Sequence, residues 1–167
     1  MPKPTKYAAL ICIVLTVLAI IGIVIGIIKS LAVVTMILLL PAIVYEIYRT
    51  EGRITKWASW ALLGIFALEV ILIITNINID ITKYLNLSGS ITSSGLPMGD
   101  LRFWGPTIMI AISGLLFYRT RGIYTKWLAA IIFITSIAVI YILDPALFGK
   151  LLGSGMQKGM DKLQNPR

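Results

Sequence analysis

Apolar residues run almost unbroken from Tyr7 to Tyr48, with Lys29-Ser30 as the one polar pair in the middle. A single helix of that length would reach roughly 60 Å at 1.5 Å per residue, about twice the hydrocarbon thickness of a bilayer. The chain must therefore turn back, which predicts one helix over 7–28 and a second over 31–47, with Pro41 as a kink site in the second. Three later apolar stretches predict helices over 58–75, 104–117 and 128–143. Asp144-Pro145 ends the last, because the residue before a proline is steered out of the helical region. The first apolar run is longer than the core of a secretory signal and carries no small-x-small cleavage site, so it is expected to remain as an anchor.

Composition agrees with this pattern: 58% of residues are hydrophobic and 13% charged, and the mean hydropathy is +0.93. Soluble domains carry about 25% charged residues. The expectation is an all-α membrane protein of about five transmembrane helices, one membrane domain over 1–167, with an outer loop at 76–103 and a surface tail at 144–167.

One phrase occurs twice. Residues 48–57 read YRTEGRITKW and residues 118–127 read YRTRGIYTKW, identical at seven of ten positions. Each phrase joins two predicted helices, so helices two and three form one hairpin and helices four and five another. An even number of crossings separates them, giving a tandem parallel repeat related by an axis along the membrane normal. Within the phrase, Tyr48, Trp57, Tyr118 and Trp127 suit the headgroup layer. Arg49, Arg53, Lys56, Arg119, Arg121 and Lys126 can reach lipid phosphates or an acidic partner. Gly52 and Gly122 allow the chain to reverse, and Thr55 and Thr125 are candidate helix caps. With Lys3 and Lys6 on the same side as both phrases, the positive-inside rule makes the N-terminus cytoplasmic and the C-terminus external.

Two acids fall within the helices. Glu46 stands just before the first phrase and is expected to pair with Arg49 or Arg53 at the interface. Glu69 lies twelve residues beyond Trp57, about 18 Å deep at 1.5 Å per residue. A carboxyl there calls for a hydrogen-bonding or cationic partner and reads either as helix glue or as a proton- or quinone-linked group. The matching position of the second hairpin is Val139. Ala19, Gly22 and Gly26 form a small-residue face on the first helix suited to close packing.

In the outer loop, Ile77, Ile79 and Ile81 alternate with polar residues as in a half-buried strand, and Asn86-Leu87-Ser88 matches a glycosylation acceptor. In the tail, Phe148, Leu152, Met156, Met160 and Leu163 recur at helical spacing, which suits the membrane surface or a partner. Histidine is absent and Cys12 is the only cysteine. No catalytic residues, metal ligands or cofactor are expected, and the basic balance reflects membrane orientation rather than nucleic acid. These features point to a non-catalytic accessory subunit of a multi-subunit membrane complex, with other membrane subunits and anionic lipids as partners. A respiratory or other energy-transducing complex, and so electron transport, is the expected setting. The alternative is a small transporter or channel built from tandem hairpins.

Overall fold

The computed structural model describes residues 6–75 and 101–146 and the single positions 148, 149 and 153. The fold of the outer loop and all but the start of the tail lie outside the described residues. Among the described residues five long helices follow one another: α1 (Ala8–Lys29), α2 (Ala32–Arg49), α3 (Arg53–Thr75), α4 (Leu101–Arg119) and α5 (Ile123–Leu143). Of these, α1, α2, α3 and α5 are long and apolar enough to cross a membrane. Their outward faces carry Leu10, Val17, Ile37, Leu68 and Ile134 in the open, a surface that water would not tolerate over such an area but acyl chains would. The chain is a multi-pass helical membrane protein.

Among the described helices, each packs against the next in chain order, α5 returns to α1, and α2 touches α5 across the ring. The interior is filled by Met36, Leu39 and Ile43 of α2, Leu62 and Phe66 of α3, Met109 and Leu116 of α4, and Leu128, Ile132 and Val139 of α5, with Cys12 and Leu15 of α1 on one side. The α2–α3 and α4–α5 hairpins bury corresponding positions seventy residues apart: Leu39 and Met109, Ile43 and Ser113, Glu46 and Leu116, Leu62 and Ile132, Phe66 and Ser136, Glu69 and Val139.

The fold-back at Lys29-Ser30 is a tight turn. Ser30 adopts the left-handed conformation (φ 52°, ψ 35°), and the Leu31 amide donates to the Gly26 carbonyl at 3.1 Å, the bond that typically closes a helix C-terminus. Two inter-helix hydrogen bonds then hold α1: the Thr35 hydroxyl donates to the Gly22 carbonyl at 2.9 Å, and the Trp127 indole to the Thr16 hydroxyl at 3.0 Å. Ala19, Gly22 and Gly26 are buried. A methyl group at Gly26 would overlap the Thr35 hydroxyl, and one at Gly22 would press on Leu38 at 3.1 Å. This face of α1 therefore meets α2 at backbone distance.

The helices extend further into the repeated phrases than the apolar runs suggested. α2 continues to Arg49 and α3 begins at Arg53, α4 continues to Arg119 and α5 begins at Ile123, so only residues 50–52 and 120–122 lie outside helix. Charged and aromatic interfacial residues are good helix formers or neutral, and nothing in the phrases but glycine breaks the helix. Pro41 does not interrupt α2, and Asp144 ends α5, its carboxylate accepting from the Ala146 amide at 2.9 Å.

Candidate functional site

Both short turns lie at the same end of the bundle and face one another across a cavity of about 610 Å³. Its lining is Arg49, Glu51, Gly52, Arg53, Ile54 and Thr55 from the first phrase and Arg119, Thr120, Arg121, Gly122 and Thr125 from the second. Four guanidiniums meet one carboxylate there, a net charge of +3 on the lining.

The turns are built alike. The Thr50 amide donates to the Glu46 carbonyl at 2.8 Å and the Thr120 amide to the Leu116 carbonyl at 2.9 Å. The first bonds of α3 and α5 run from Lys56 to Gly52 (2.9 Å) and from Lys126 to Gly122 (3.0 Å). The glycines, not the threonines, therefore occupy the cap positions. Thr55 and Thr125 stand within the first turn and donate backwards, Thr55 to the carbonyls of Glu51 (2.8 Å) and Gly52 (3.1 Å), Thr125 to that of Gly122 (2.7 Å). This corrects the capping expectation. A helix capped at residue 52 or 122 leaves the hydroxyl three residues past the cap position, too late to serve the orphan amides. Those amides, at residues 53–55 and 123–125, precede the first intrahelical bond, and of these residues Arg53, Ile54, Thr55 and Thr125 line the cavity.

Side chains then separate the two turns. The Arg49 guanidinium lies over the Tyr124 ring, 4.8 Å from its centroid, with a long contact of 3.5 Å from Nη1 to the Tyr45 hydroxyl. A cation on an aromatic face gains about 0.5–2 kcal/mol depending on exposure, and here it ties α2 to α5. Arg53, Arg119 and Arg121 are exposed. Glu46 does not pair with arginine. It is fully buried, and its Oε1 accepts from the Thr50 hydroxyl at 2.5 Å. Position 46 faces the bundle interior while Arg49, nearly a turn on, is drawn to Tyr124; the hydroxyl, not the guanidinium, is the neighbour on that face. The sequence offered no direct sign of this beyond the four-residue Glu46–Thr50 spacing, which helices bring together.

The aromatic residues of the phrases divide. Tyr48 and Tyr118 are exposed, Tyr48 stacking beside Tyr45 at 6.3 Å between centroids. Trp57 is 76% exposed and faces outward with Lys56, whereas Trp127 is 47% exposed and bonded to α1, with Lys126 half-buried.

Glu69 stands apart from this cavity. It is fully buried six residues before the end of α3 and rests directly on the backbone of α4 at Gly105, where any Cβ would overlap its carboxyl. Gly105 lies four residues into α4, near the positive end of that helix dipole, a favourable setting for a carboxyl. Only glycine admits this approach, and the spacing of the two residues in the chain carried no hint of it. Among the described residues no group of histidine, cysteine and carboxylate side chains is arranged to hold a metal ion.

The chain has no match among protein-family models, among curated proteins or among solved structures, so its site is read from the geometry of its own residues.

Proposed function

We propose that the protein is a non-catalytic accessory subunit of a multi-subunit membrane complex, and that it offers an anion-docking cavity on the cytoplasmic face of a duplicated hairpin bundle. The observation that carries this reading is the meeting of both phrases on one cavity lined by Arg49, Arg53, Arg119 and Arg121. A turn that only reverses the chain has no need to face its copy. A pair of turns that pool four guanidiniums concentrates positive potential where an acidic partner segment or a lipid headgroup would dock.

Duplication is supported by more than the phrase. Adding seventy to the inner bounds of the first hairpin, 49 and 53, gives 119 and 123, the inner bounds of the second. Exchange of the hairpins also carries the α3–α4 contact onto the α5–α2 contact, as an axis along the bundle would require. In this arrangement α4, 19 residues long and so about 28 Å at 1.5 Å per residue, is the fifth span. The turns and Lys3 and Lys6 lie on the cytoplasmic side and the end of α5 outside. α1 stands beyond the repeat, fastened to α2 and α5.

Purification from native membranes in mild detergent, followed by mass spectrometry of the intact assembly, tests the role. Partner polypeptides at fixed stoichiometry are expected; a lone chain or homo-oligomer overturns it. A second reading, a small transporter, is favoured by Glu69 alone, a buried acid at a helix contact. Loss of proton-coupled transport in reconstituted Glu69→Gln, with assembly intact, would support it.

A further inference from the structure

We infer that the cavity between the two turns is the headgroup site of a membrane lipid carrying two phosphates. This deepens the docking role proposed above and rests on it, but not on the identity of any complex.

Charge sets the number of phosphates. Each turn contributes two guanidiniums, Arg49 with Arg53 and Arg119 with Arg121, against Glu51 as the one acid among the described lining residues. Arginine's planar fork grips a phosphate through paired N–H bonds, and two arginines on one phosphate are a common arrangement in such sites. A single phosphodiester would leave most of the net +3 uncompensated, while two phosphates, one for each turn, bring it close to neutral. No carboxylate pairs with Arg53, Arg119 or Arg121 among the described residues, so these groups need not be freed before a ligand is bound.

The setting selects a lipid over a soluble anion. Ile54 lines the cavity and is exposed, and Tyr48, Trp57, Tyr118 and Ile123 stand exposed beside the turns. A site for a free dianion has no use for this apolar margin; a ligand whose phosphates continue into acyl chains covers it. The position of the cavity, at the end of the helices where the apolar faces stop, is the depth of the headgroups. A volume of about 610 Å³ falls in the range of small-ligand pockets, roughly 300–1,000 Å³, and suffices for a headgroup with its chains outside.

Part of the site is held ready. Arg49 is fixed on the Tyr124 ring, so one guanidinium needs little ordering when the ligand arrives. The N-termini of α3 and α5 add two positive helix ends beside the same space, each preceded by a glycine that lines it.

The test uses the full chain, delipidated in detergent, with four probes: diphosphatidylglycerol, phosphatidylglycerol, phosphatidylcholine and inorganic pyrophosphate. Native mass spectrometry and thermal-shift titration read binding. Diphosphatidylglycerol is expected to bind one per chain and at least about tenfold tighter than phosphatidylglycerol, the difference of one charge-assisted phosphate contact. Arg119→Ala/Arg121→Ala is expected to lose that preference while melting without lipid at the wild-type temperature. Arg119→Lys/Arg121→Lys keeps the charge and loses the fork, and is expected to fall between the two; it stands in if the alanine variant does not fold. Equal affinity for the one- and two-phosphate lipids overturns the two-phosphate assignment. Pyrophosphate binding as tightly as the lipid overturns the lipid source. An unchanged preference in both double variants overturns the location. Failure of all four probes, with an acidic partner segment cross-linking to the turns in the native complex, overturns the lipid and leaves the docking role standing; failure of the probes without such a partner overturns both.

Discussion

Thr50 and Thr120 hold the same place in two turns made from one ten-residue pattern, yet their hydroxyls answer to different neighbours. Thr50 donates to the buried Glu46 carboxylate at 2.5 Å; Thr120, with Leu116 where the acid would be, donates to the Leu116 backbone carbonyl, also at 2.5 Å. Gly52 has φ +114°, a conformation that favours glycine, whereas Gly122 is extended at φ −77°. Trp57 faces outward and Trp127 is bonded to α1. Arg49 is stacked on Tyr124, while the position matching Tyr124 in the first hairpin is Ile54. The shared part is the helix bounds, the place of the capping glycines and the backbone hydrogen bonds on either side of each turn; the glycine conformation is not shared. The differing part is whatever each copy must touch, and it follows the neighbours rather than the phrase.

Exchanging residues between the copies probes that division. The largest effect is expected at the buried pair Glu46 and Leu116. Leu116→Ala should cost about 2–5 kcal/mol, as is usual for an emptied core site. Glu46→Leu, which writes in the residue found seventy positions on, should change stability by less than about 1 kcal/mol, since replacing a buried carboxyl by an apolar group removes its desolvation cost along with its hydrogen bond. Reversible unfolding in mixed micelles measures both, and a loss on Glu46→Leu as large as that on Leu116→Ala would show that the acid is indispensable to the turn.

Gly105 and Thr35 also correspond, and only the first must lack a side chain. Gly105→Ala drives a methyl group into the Glu69 carboxyl and should cost about 1–3 kcal/mol as overpacking, with most of it recovered in Gly105→Ala/Glu69→Ala. Absence of that recovery in the same unfolding assay would mean that the carboxyl is not what the methyl group strikes. Next in size are the turn glycines. Gly52→Ala should cost about 1–3 kcal/mol for the strained backbone. Gly122→Ala should cost less than about 1 kcal/mol, because there only the rotatable Thr125 hydroxyl stands close, 2.8 Å from where the methyl group would sit. Equal losses in thermal melts would erase the distinction between the turns. The smallest pair is Trp127→Phe against Trp57→Phe: about 0.5–1.5 kcal/mol for the lost indole bond to Thr16, and within about 0.5 kcal/mol for the exposed ring. Tryptophan emission should separate the same two residues, with Trp127 the less affected by a headgroup-level quencher.

Much of the scaffold was legible because the bilayer imposes a simple rule. Apolar runs such as 7–28 and 128–143 must be helices of spanning length, and a polar pair such as Lys29-Ser30 inside too long a run must be a reversal. Helix ends were less legible, since interfacial residues such as Tyr48, Arg49 and Arg53 belong by hydropathy to neither side but continue the helix. The candidate site was half legible. Its residues were identified in the two phrases, but their convergence on one cavity depends on how α3 meets α4 and α5 meets α2, which no local pattern encodes. The expected Glu46 ion pair does not form because proximity to charge, Arg49 three residues on, is visible in a sequence and burial behind it is not. Gly105 carries no signal in the sequence: glycine is common in membrane helices, and its value here lies in the Glu69 carboxyl that occupies the space.

The attachment of α1 carries a consequence for biogenesis. Its contact with α2 is made across the short turn at Ser30, but its bond to Trp127 joins residues 111 positions apart. During synthesis α1 and α2 can pair as soon as both have left the ribosome, whereas the α5 side of α1 stays open to lipid until α5 arrives. Arrival of α5 is therefore a closure step, in which one helix completes contacts with α1, α2 and α4 together. Contacts of such long sequence separation form slowly and leave an unsealed seam in the meantime, so the nascent chain passes through a state that membrane chaperones and proteases can tell from the finished one.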